Sequence, residues 1–289
     1  MKAFKHKRRY SYWFLAPAGV VYAVFFLLPT LMSLFFSMTR WTLVDWQFIG
    51  LDNFLTFFTE EALSIGLRNT MVYALVTCGL KVILGFCLGV FLCSRLATKG
   101  FLRSMVFFPV LLSTIAIGIT FQSLMHPSHG LINLALGRLG LVGPDWLGNT
   151  GLALFSVALV DVWKGVGIAT VIYIAGIMAI PIEYYEALAI DGGNAWDRLV
   201  RITLPLSRPA MNSVIVLAFI GGLRSFDLVW VMTKGGPGFS TDLLASIIYK
   251  QYQGGFYGLS TAGNVILFVV VAVCAFPLYR FLTRHEVAL

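Results

Sequence analysis

The 289-residue sequence has few charged side chains, which make up 12% of the chain. A soluble domain of ordinary composition has about 25%. Hydrophobic residues account for 58%, so the chain has too little polar surface for water to cover. The shortage of charge excludes a soluble domain, and the long unbroken apolar runs predict an all-α integral membrane protein.

Several chemical signatures are also missing. The sequence contains no nucleotide-binding GxxxxGK[ST] loop, no HExxH pair and no cluster of metal-ligand residues. The cysteines all lie inside apolar runs and form no CxxC pair, so they are expected to be small buried side chains rather than disulfides or metal ligands: Cys78, Cys87, Cys93 and Cys274. We therefore expect no metal, no catalytic site and no cofactor on this chain.

Apolar runs of 18 residues or more predict six transmembrane helices, because about 20 residues cross a hydrocarbon core. The runs lie at 12–38, 68–94, 104–125, 151–180, 209–233 and 261–283. Pro29 and Pro109 are expected to kink two of them. Residues 39–66, 126–150 and 234–260 then form the loops on one side of the membrane.

The orientation follows from the basic residues, which collect in the cytoplasmic loops of membrane proteins. Thirteen lysines and arginines lie in the N-terminal tail 1–11, after spans two and four, and at the C-terminus, against five in the opposite loops. Both termini are therefore predicted to be cytoplasmic, with residues 12–289 as the membrane domain and an uncleaved first span. The same asymmetry explains the net charge of +8 without nucleic-acid binding.

One polar passage, residues 181–209, separates spans four and five on the cytoplasmic side. Pro181 suits a helix start, Gly192-Gly193 suits a left-handed stop, and Asn194 with Asp197 suits a capping box. A second short helix is expected to run to about Leu204 and to end at Pro205. This helix-turn-helix is either a loop lying on lipid headgroups or a site where a partner docks.

The same passage resembles the EAA signature of ABC importer permeases, in which E-A-x is followed by G and then by I-x-L-P. Here the spacing is met without a gap by Glu186, Ala187, Leu188, Gly192, Ile202, Leu204 and Pro205. Leu188 departs from the alanine that the pattern often has. Asp191, beside the glycine, completes the candidate coupling residues.

Three further stretches resemble the carbohydrate branch of this family: FIGLDNF at 48–54, DVWKGVG at 161–167 and VMTKGGPGFST at 231–241. The chain is similar to the first permease subunit of maltose-type importers, in a short six-span form. The 234–241 loop is either a tight turn or a part of the surface where a binding protein docks.

The resemblance implies a partner set and a mechanism. A second, homologous permease would pair with this chain, two ABC ATPase subunits would hold the ATP and Mg²⁺, and an extracytoplasmic binding protein would deliver the sugar. The passage at 181–209 would be the coupling helix, with Glu186 paired to a basic residue of the ATPase. The chain would move an oligosaccharide, a monosaccharide or a glycerol-phosphate-like solute across a prokaryotic inner membrane by alternating access.

Polar residues inside the spans are candidates for the substrate pathway, because a charge in a span usually faces a cavity or a partner. Asp161 and Lys164 share a helical face and could pair with each other, and Arg224, Asp227 and Trp230 are spaced three apart as if on one face. Such pairs could equally be structural or form a gate. The candidates are Gln122, Asp161, Trp163, Lys164, Arg224, Asp227, Trp230 and Asn264.

Two other function classes fit the composition less well. A secondary transporter would have internal repeats and buried carboxylates, and neither is prominent here. An intramembrane enzyme would need a nucleophile with its base, or paired carboxylates at membrane depth, and the sequence offers no such set.

Overall fold

The computed structural model describes residues 12–94 and 97–284. The N-terminal tail 1–11, Arg95 and residues 285–289 lie outside the described residues, so their predicted placement in the cytoplasm stays a prediction.

The described chain is mainly helical, with one small hairpin. The α-helices and strands are, in chain order, α1 Ala16–Tyr22, α2 Leu28–Phe36, β1 Thr39–Trp41, β2 Trp46–Phe48, α3 Asp52–Thr59, α4 Glu61–Cys93, α5 Lys99–Leu111, α6 Thr114–Leu124, α7 Leu131–Arg138, α8 Ala153–Met178, α9 Ile182–Ile190, α10 Ala195–Asp197, α11 Leu204–Leu206, α12 Arg208–Leu223, α13 Asp227–Thr233, α14 Leu244–Gln253 and α15 Tyr257–Thr283. A 3₁₀ turn at Tyr12–Leu15 and π-helical stretches at Ala23–Leu27 and Arg198–Thr203 join neighbouring helices.

Four helical stretches are long and apolar enough to cross a membrane unbroken: Trp13–Phe36, Leu63–Cys93, Ala153–Met178 and Tyr257–Thr283. Two bent pairs, Lys99–Leu111 with Thr114–Leu124 and Ala195–Leu206 with Arg208–Leu223, raise the number to six if each pair counts as one span. The described residues therefore contain the predicted six spans only if each bent pair is counted as one span.

The centre of the bundle is formed by α8, which packs against α4, α5 and α12. Glycines allow the close approach of α4 to α8, because a Cβ on Gly85 would lie 2.7 Å from the Ala169 Cβ and one on Gly89 would lie 2.8 Å from the Tyr173 Cβ. The first span, by contrast, has none of its residues buried within this chain and packs mainly along α15.

The predicted third span is bent by 97° between α5 and α6. Pro109 lies inside α5, two residues before its end, and has no N–H to donate to the carbonyl of Met105. Leu112 and Ser113 are extended. The prediction of one continuous helix at 104–125 was wrong, and the bend lies at Leu112 and Ser113, three residues beyond the kink predicted at Pro109.

The predicted fifth span at 209–233 is also interrupted. Helix α12 ends at Leu223, and Phe226 has φ −141° and ψ −62°, outside the helical region, before α13 begins. Arg224, Asp227 and Trp230 therefore do not share one face of a continuous helix, because their common face requires unbroken helical spacing. That part of the sequence prediction was wrong.

The segments predicted as loops contain regular structure. The hairpin β1–β2 is antiparallel with Arg40 opposite Gln47, and the Asn53 side chain donates to the carbonyls of Ser37 and Thr39. Helices α3, α7 and α14 occupy further parts of these segments. They are short and amphipathic, which explains why a search for long apolar runs does not find them.

Candidate functional site

The polar passage forms the predicted helix-turn-helix. Gly192 is left-handed, with φ +75°, and the N–H of Gly193 donates to the Leu188 carbonyl at 2.9 Å while that of Gly192 donates to Ala189 at 3.2 Å. These two bonds are those of the glycine stop that closes a helix C-terminus. A side chain on Gly193 would collide with Leu188, which folds over the turn. The turn therefore needs both glycines.

The second helix begins with the predicted capping box. The Asn194 side chain accepts from the backbone N–H groups of Trp196 and Asp197, and the Asp197 carboxylate accepts from the N–H of Asn194 at 3.2 Å. An ion pair from Asp197 to Arg201 continues this network along the helix. The start of this helix is thus specified locally by its own sequence.

Pro205 does not end this helix as predicted. The path continues through α11 to Leu206, after the π-helical stretch Arg198–Thr203. A proline removes one N–H and crowds the carbonyl four residues before it. The wider π turn ahead of Pro205 relieves both effects, and the Thr203 hydroxyl donates to the carbonyl of Arg198 at 3.1 Å. The helix ends only at Ser207, before α12.

The coupling residues predicted from the signature divide into exposed and buried groups. Glu186, Ala187, Asp191 and Leu204 are exposed, whereas Ile202 is buried. Large apolar side chains nearby also lie open, with Ile190 87% and Trp196 70% exposed. The surface of α9 and its turn therefore combines three exposed carboxylates, those of Glu183, Glu186 and Asp191, with projecting apolar groups.

Inside the bundle, Asp161 pairs with a different lysine from the one predicted. Lys81 Nζ of α4 lies 2.8 Å from Asp161 Oδ2 of α8, with side chains 11% and 21% exposed. Lys164 is not the ion-pair partner of Asp161. The Lys81 side chain crosses Gly165, where an added Cβ would lie 2.7 Å from the lysine Cε. The glycine one turn beyond Asp161 thus gives Lys81 room to reach it.

This ion pair lines a cavity of about 250 Å³ between α8 and α12. Lys164 lies on its wall, while the remaining wall is largely apolar, with Ile168, Leu217 and Gly221 among its residues. Lys81 lies inside the predicted second span, 68–94. Its partner could not be found from spacing, because the two residues are 80 positions apart.

An aromatic cluster stands where the fifth span is broken. The Trp230 ring lies 4.8 Å from Tyr249 and 5.8 Å from Phe226, measured between centroids, and Phe226 lies 5.2 Å from Tyr249. Phe226 and Tyr249 line a second cavity of about 250 Å³, together with Tyr252 and Asn264. This arrangement brings aromatic faces together with an amide and hydroxyl groups.

Two of the predicted pathway residues, Trp230 and Asn264, come to this aromatic site, but Phe226, Tyr249 and Tyr252 were missed. The residues of α14 were assigned to an external loop. Their pattern, with Leu244, Ile247 and Ile248 buried on one face, is that of an amphipathic helix and could have revealed it.

The other predicted pathway residues lie elsewhere. Gln122 Nε2 donates to the carbonyl of Met232 at 3.5 Å and so joins α6 to α13. Trp163 packs against Phe121 at 5.2 Å. Arg224 and Asp227 are exposed on either side of the helix break, and no ion pair joins them in the described part of the chain.

Buried polar groups hold the glycine-rich loop at 234–241 in place. Asp242 is fully buried, accepts from Ser246 and is paired with Lys250 at 2.6 Å. Asn69 of α4 donates to the carbonyls of Phe239, Ser240 and Asp242. The loop is therefore a fixed surface feature and more than a simple turn.

These features define a multi-pass membrane transport subunit: a helical bundle with broken spans, polar groups at membrane depth and an exposed polar helix-turn-helix. The chain belongs to the family described as binding-protein-dependent transport system inner membrane component, whose profile matches residues 81–286. It is accordingly a non-catalytic inner membrane subunit of an ABC transporter.

Relatives resemble the chain over nearly its full length. The trehalose/maltose transport system permease protein MalF of Thermococcus litoralis is 33% identical over 90% of this chain and 89% of its own length. The arabinooligosaccharides transport system permease protein AraP of Bacillus subtilis is 31% identical over 93% and 88%. A permease chain in the crystal structure of a bacterial importer of the acidic polysaccharide alginate has the same fold, with TM-score 0.84 and 22% identity over 94% of both chains.

Replacing Lys81 by Met is expected to destabilise the bundle, because the Asp161 carboxylate would remain in a largely apolar site without its partner. The pair is partly exposed, so we expect a loss of about 2 kcal/mol. The measurement is the midpoint of thermal unfolding of the purified protein in detergent. The double variant Lys81→Met/Asp161→Leu should recover most of the loss.

Lys164→Met is the matched control, because it removes a lysine from the same cavity wall and leaves the ion pair intact. Its midpoint should stay close to that of the wild type. An equal loss in Lys81→Met and Lys164→Met, with no recovery in the double variant, would show that the ion pair does not stabilise this site.

Proposed function

We propose that the chain is the transmembrane permease subunit of an ATP-driven sugar importer, and that it works by alternating access. The observation that carries the proposal is the helix-turn-helix at 181–209, which leaves the bundle between α8 and α12 and exposes Glu186 beside Ile190 and Trp196. Apolar side chains this exposed suit a partner groove, and the carboxylate suits a basic residue of that partner.

The orientation in this proposal places α9 and both chain termini in the cytoplasm. Lys99, Arg103, Arg198, Arg201 and Arg208 lie at this end of the bundle, which is the side that basic residues favour. A cytoplasmic ATPase could then reach α9, while the loop at 234–241 would face the binding protein on the other side.

The mechanism requires four partners: a second, homologous permease, two ABC ATPase subunits that hold ATP and Mg²⁺, and a solute-binding protein. Closure of the ATPase dimer would draw the two coupling helices together and open the bundle outward to receive the sugar. Hydrolysis would return the bundle to its inward-facing form. The relationship of MalF and AraP, both named as permeases for sugars, supports a sugar as the substrate.

The aromatic cluster is the best candidate for sugar contact within this chain. Phe226, Tyr249 and Tyr252 line the cavity, and aromatic rings suit the apolar side of a pyranose, while Asn264 supplies a planar amide for its hydroxyl groups. The cluster lies at the break in span five, and irregular backbone at membrane depth occurs where it lines a cavity. The Lys81–Asp161 pair is better explained as a structural contact between α4 and α8.

Glu186→Lys should detach or uncouple the ATPase while the bundle stays folded, because it reverses the charge at the centre of the docking surface. The measurement is recovery of the ATPase when a tag on this chain is pulled down from mild detergent. Glu183→Lys is the matched control, because it makes the same change in the first turn of α9, outside the signature. Full recovery of the ATPase with Glu186→Lys, together with undiminished transport, would refute the docking role.

Tyr249→Ala should lower the maximal rate of sugar uptake about tenfold, since loss of an aromatic contact is worth roughly 1–1.5 kcal/mol. Uptake of radiolabelled maltose and trehalose into vesicles loaded with ATP measures this rate. Tyr279→Ala, which removes an exposed tyrosine near the C-terminal end of α15, outside the aromatic cluster, is the control. An unchanged rate in Tyr249→Ala would exclude the aromatic cluster from the pathway.

A further inference from the structure

Helix α9 packs little against the rest of the described chain. Among the described elements, it packs most extensively against the π-helical stretch Arg198–Thr203, and its remaining surface is mostly exposed. A helix that receives force from a motor must be joined firmly to the element that carries the force onward. The contacts between α9 and this stretch are therefore of functional interest.

Tyr185 makes the polar part of this contact. Its hydroxyl lies 3.2 Å from the hydroxyl of Thr203. Because the Thr203 hydroxyl already donates to the carbonyl of Arg198, the tyrosine must be the donor and Thr203 the acceptor. Two successive hydrogen bonds, from Tyr185 to Thr203 and from Thr203 to Arg198, thus connect α9 with the start of the π-helical stretch.

Arg198 makes the second part of the contact. Its guanidinium carbon lies 4.3 Å from the centre of the Tyr185 ring, within the range of a cation–π interaction. The tyrosine is therefore held by its ring and by its hydroxyl at once. We call Tyr185, Arg198 and Thr203 the clasp.

The clasp connects directly with the membrane bundle. Thr203 is buried, and its carbonyl accepts from the N–H of Ser207, where α12 follows. Close to that point α12 meets the end of α8, because a Cβ on Gly176 would lie only 2.4 Å from the Ala210 Cβ. A displacement of α9 can therefore be transmitted to α12 by these side-chain contacts as well as by the connecting backbone.

We propose that the clasp is a positioning device that makes α9 and α12 move as one body when the ATPase moves α9. None of its three side chains belongs to the EAA signature, and Tyr185 is only half-exposed beside the exposed Glu186. The inference rests on the proposed function, since it assigns the route by which the coupling helix acts on the bundle.

The test uses the intact transporter, with this chain purified together with its partner permease and ATPase. The four cysteines are replaced by alanine, and spin labels are placed at Ile190→Cys on α9 and Ser213→Cys on α12. The distance distribution between the labels is recorded without nucleotide and after trapping with ATP and vanadate. In the wild type we expect the same narrow distribution in both states.

Tyr185→Phe and Thr203→Val each remove one hydroxyl with little change in shape. Loss of one hydrogen bond changes the ratio of closed to open clasp by about fivefold. Both variants should therefore retain the ATPase but show a broader, shifted distribution after trapping. The double variant should match Thr203→Val, because that variant already removes the bond to Tyr185 together with the bond from Thr203 to Arg198.

Tyr184→Phe is the control, because it removes the hydroxyl of the adjacent tyrosine outside the clasp and should leave the distribution unchanged. Distributions of Tyr185→Phe and Thr203→Val that match the wild type in both states would overturn the clasp. Loss of the ATPase from both variants would also overturn it, since the side chains would then act in docking itself. Failure of the wild type to carry an ATPase would overturn the proposed function, and the clasp with it.

Discussion

Backbone N–H and C=O groups that enter a bilayer must find hydrogen-bond partners within the protein, and the rest of this structure depends on that constraint. It makes the long apolar runs helical and confines irregular backbone to places where it is packed or lines a cavity. On the two sides of the break at 224–226 the helical bonds continue, because Arg224 N–H donates to Ile220 at the end of α12 and Trp230 N–H donates to Phe226 at the start of α13. The aromatic cluster lies at this same break.

The polar segment at 181–209 meets the same constraint differently, because α9 and its turn project from the bundle. Outside the bundle its backbone groups are satisfied by caps, namely the glycine turn at Gly192 and the capping box at Asn194. These local devices give α9 a fixed shape without burying its apolar side chains. The segment is thus folded by its own local contacts, which would lower the ordering cost of the docking that we propose.

Sequence reasoning predicted those features that are encoded locally. The capping box and the left-handed glycine each follow from residues within a few positions of one another. It failed where distant residues decide the outcome, as in the pairing of Asp161 with Lys81 rather than with Lys164. It also failed at Pro205, because the preceding π-helical stretch lets the helix continue past a proline that would end an ordinary α-helix.

The aromatic site is a second case in which contacts between distant residues could not be predicted from the sequence. Trp230 and Asn264 were found because polar or amphipathic residues are rare within apolar runs, whereas Tyr249 lay in a segment treated as a loop. Only the packing of α14 beside the break brings the three rings together. A search for short amphipathic helices would have located α14, but not its neighbours.

The central claim is that α9 meets the ATPase on the cytoplasmic side, and one crosslinking experiment tests it directly. A photoreactive amino acid is placed at Ile190, on α9, or at Val142, which is 97% exposed in the segment predicted to lie outside. After illumination of the intact transporter, the account predicts a crosslink to the ATPase from position 190 and none from position 142. A crosslink to the ATPase from position 142, with none from position 190, would contradict both the orientation and the coupling role.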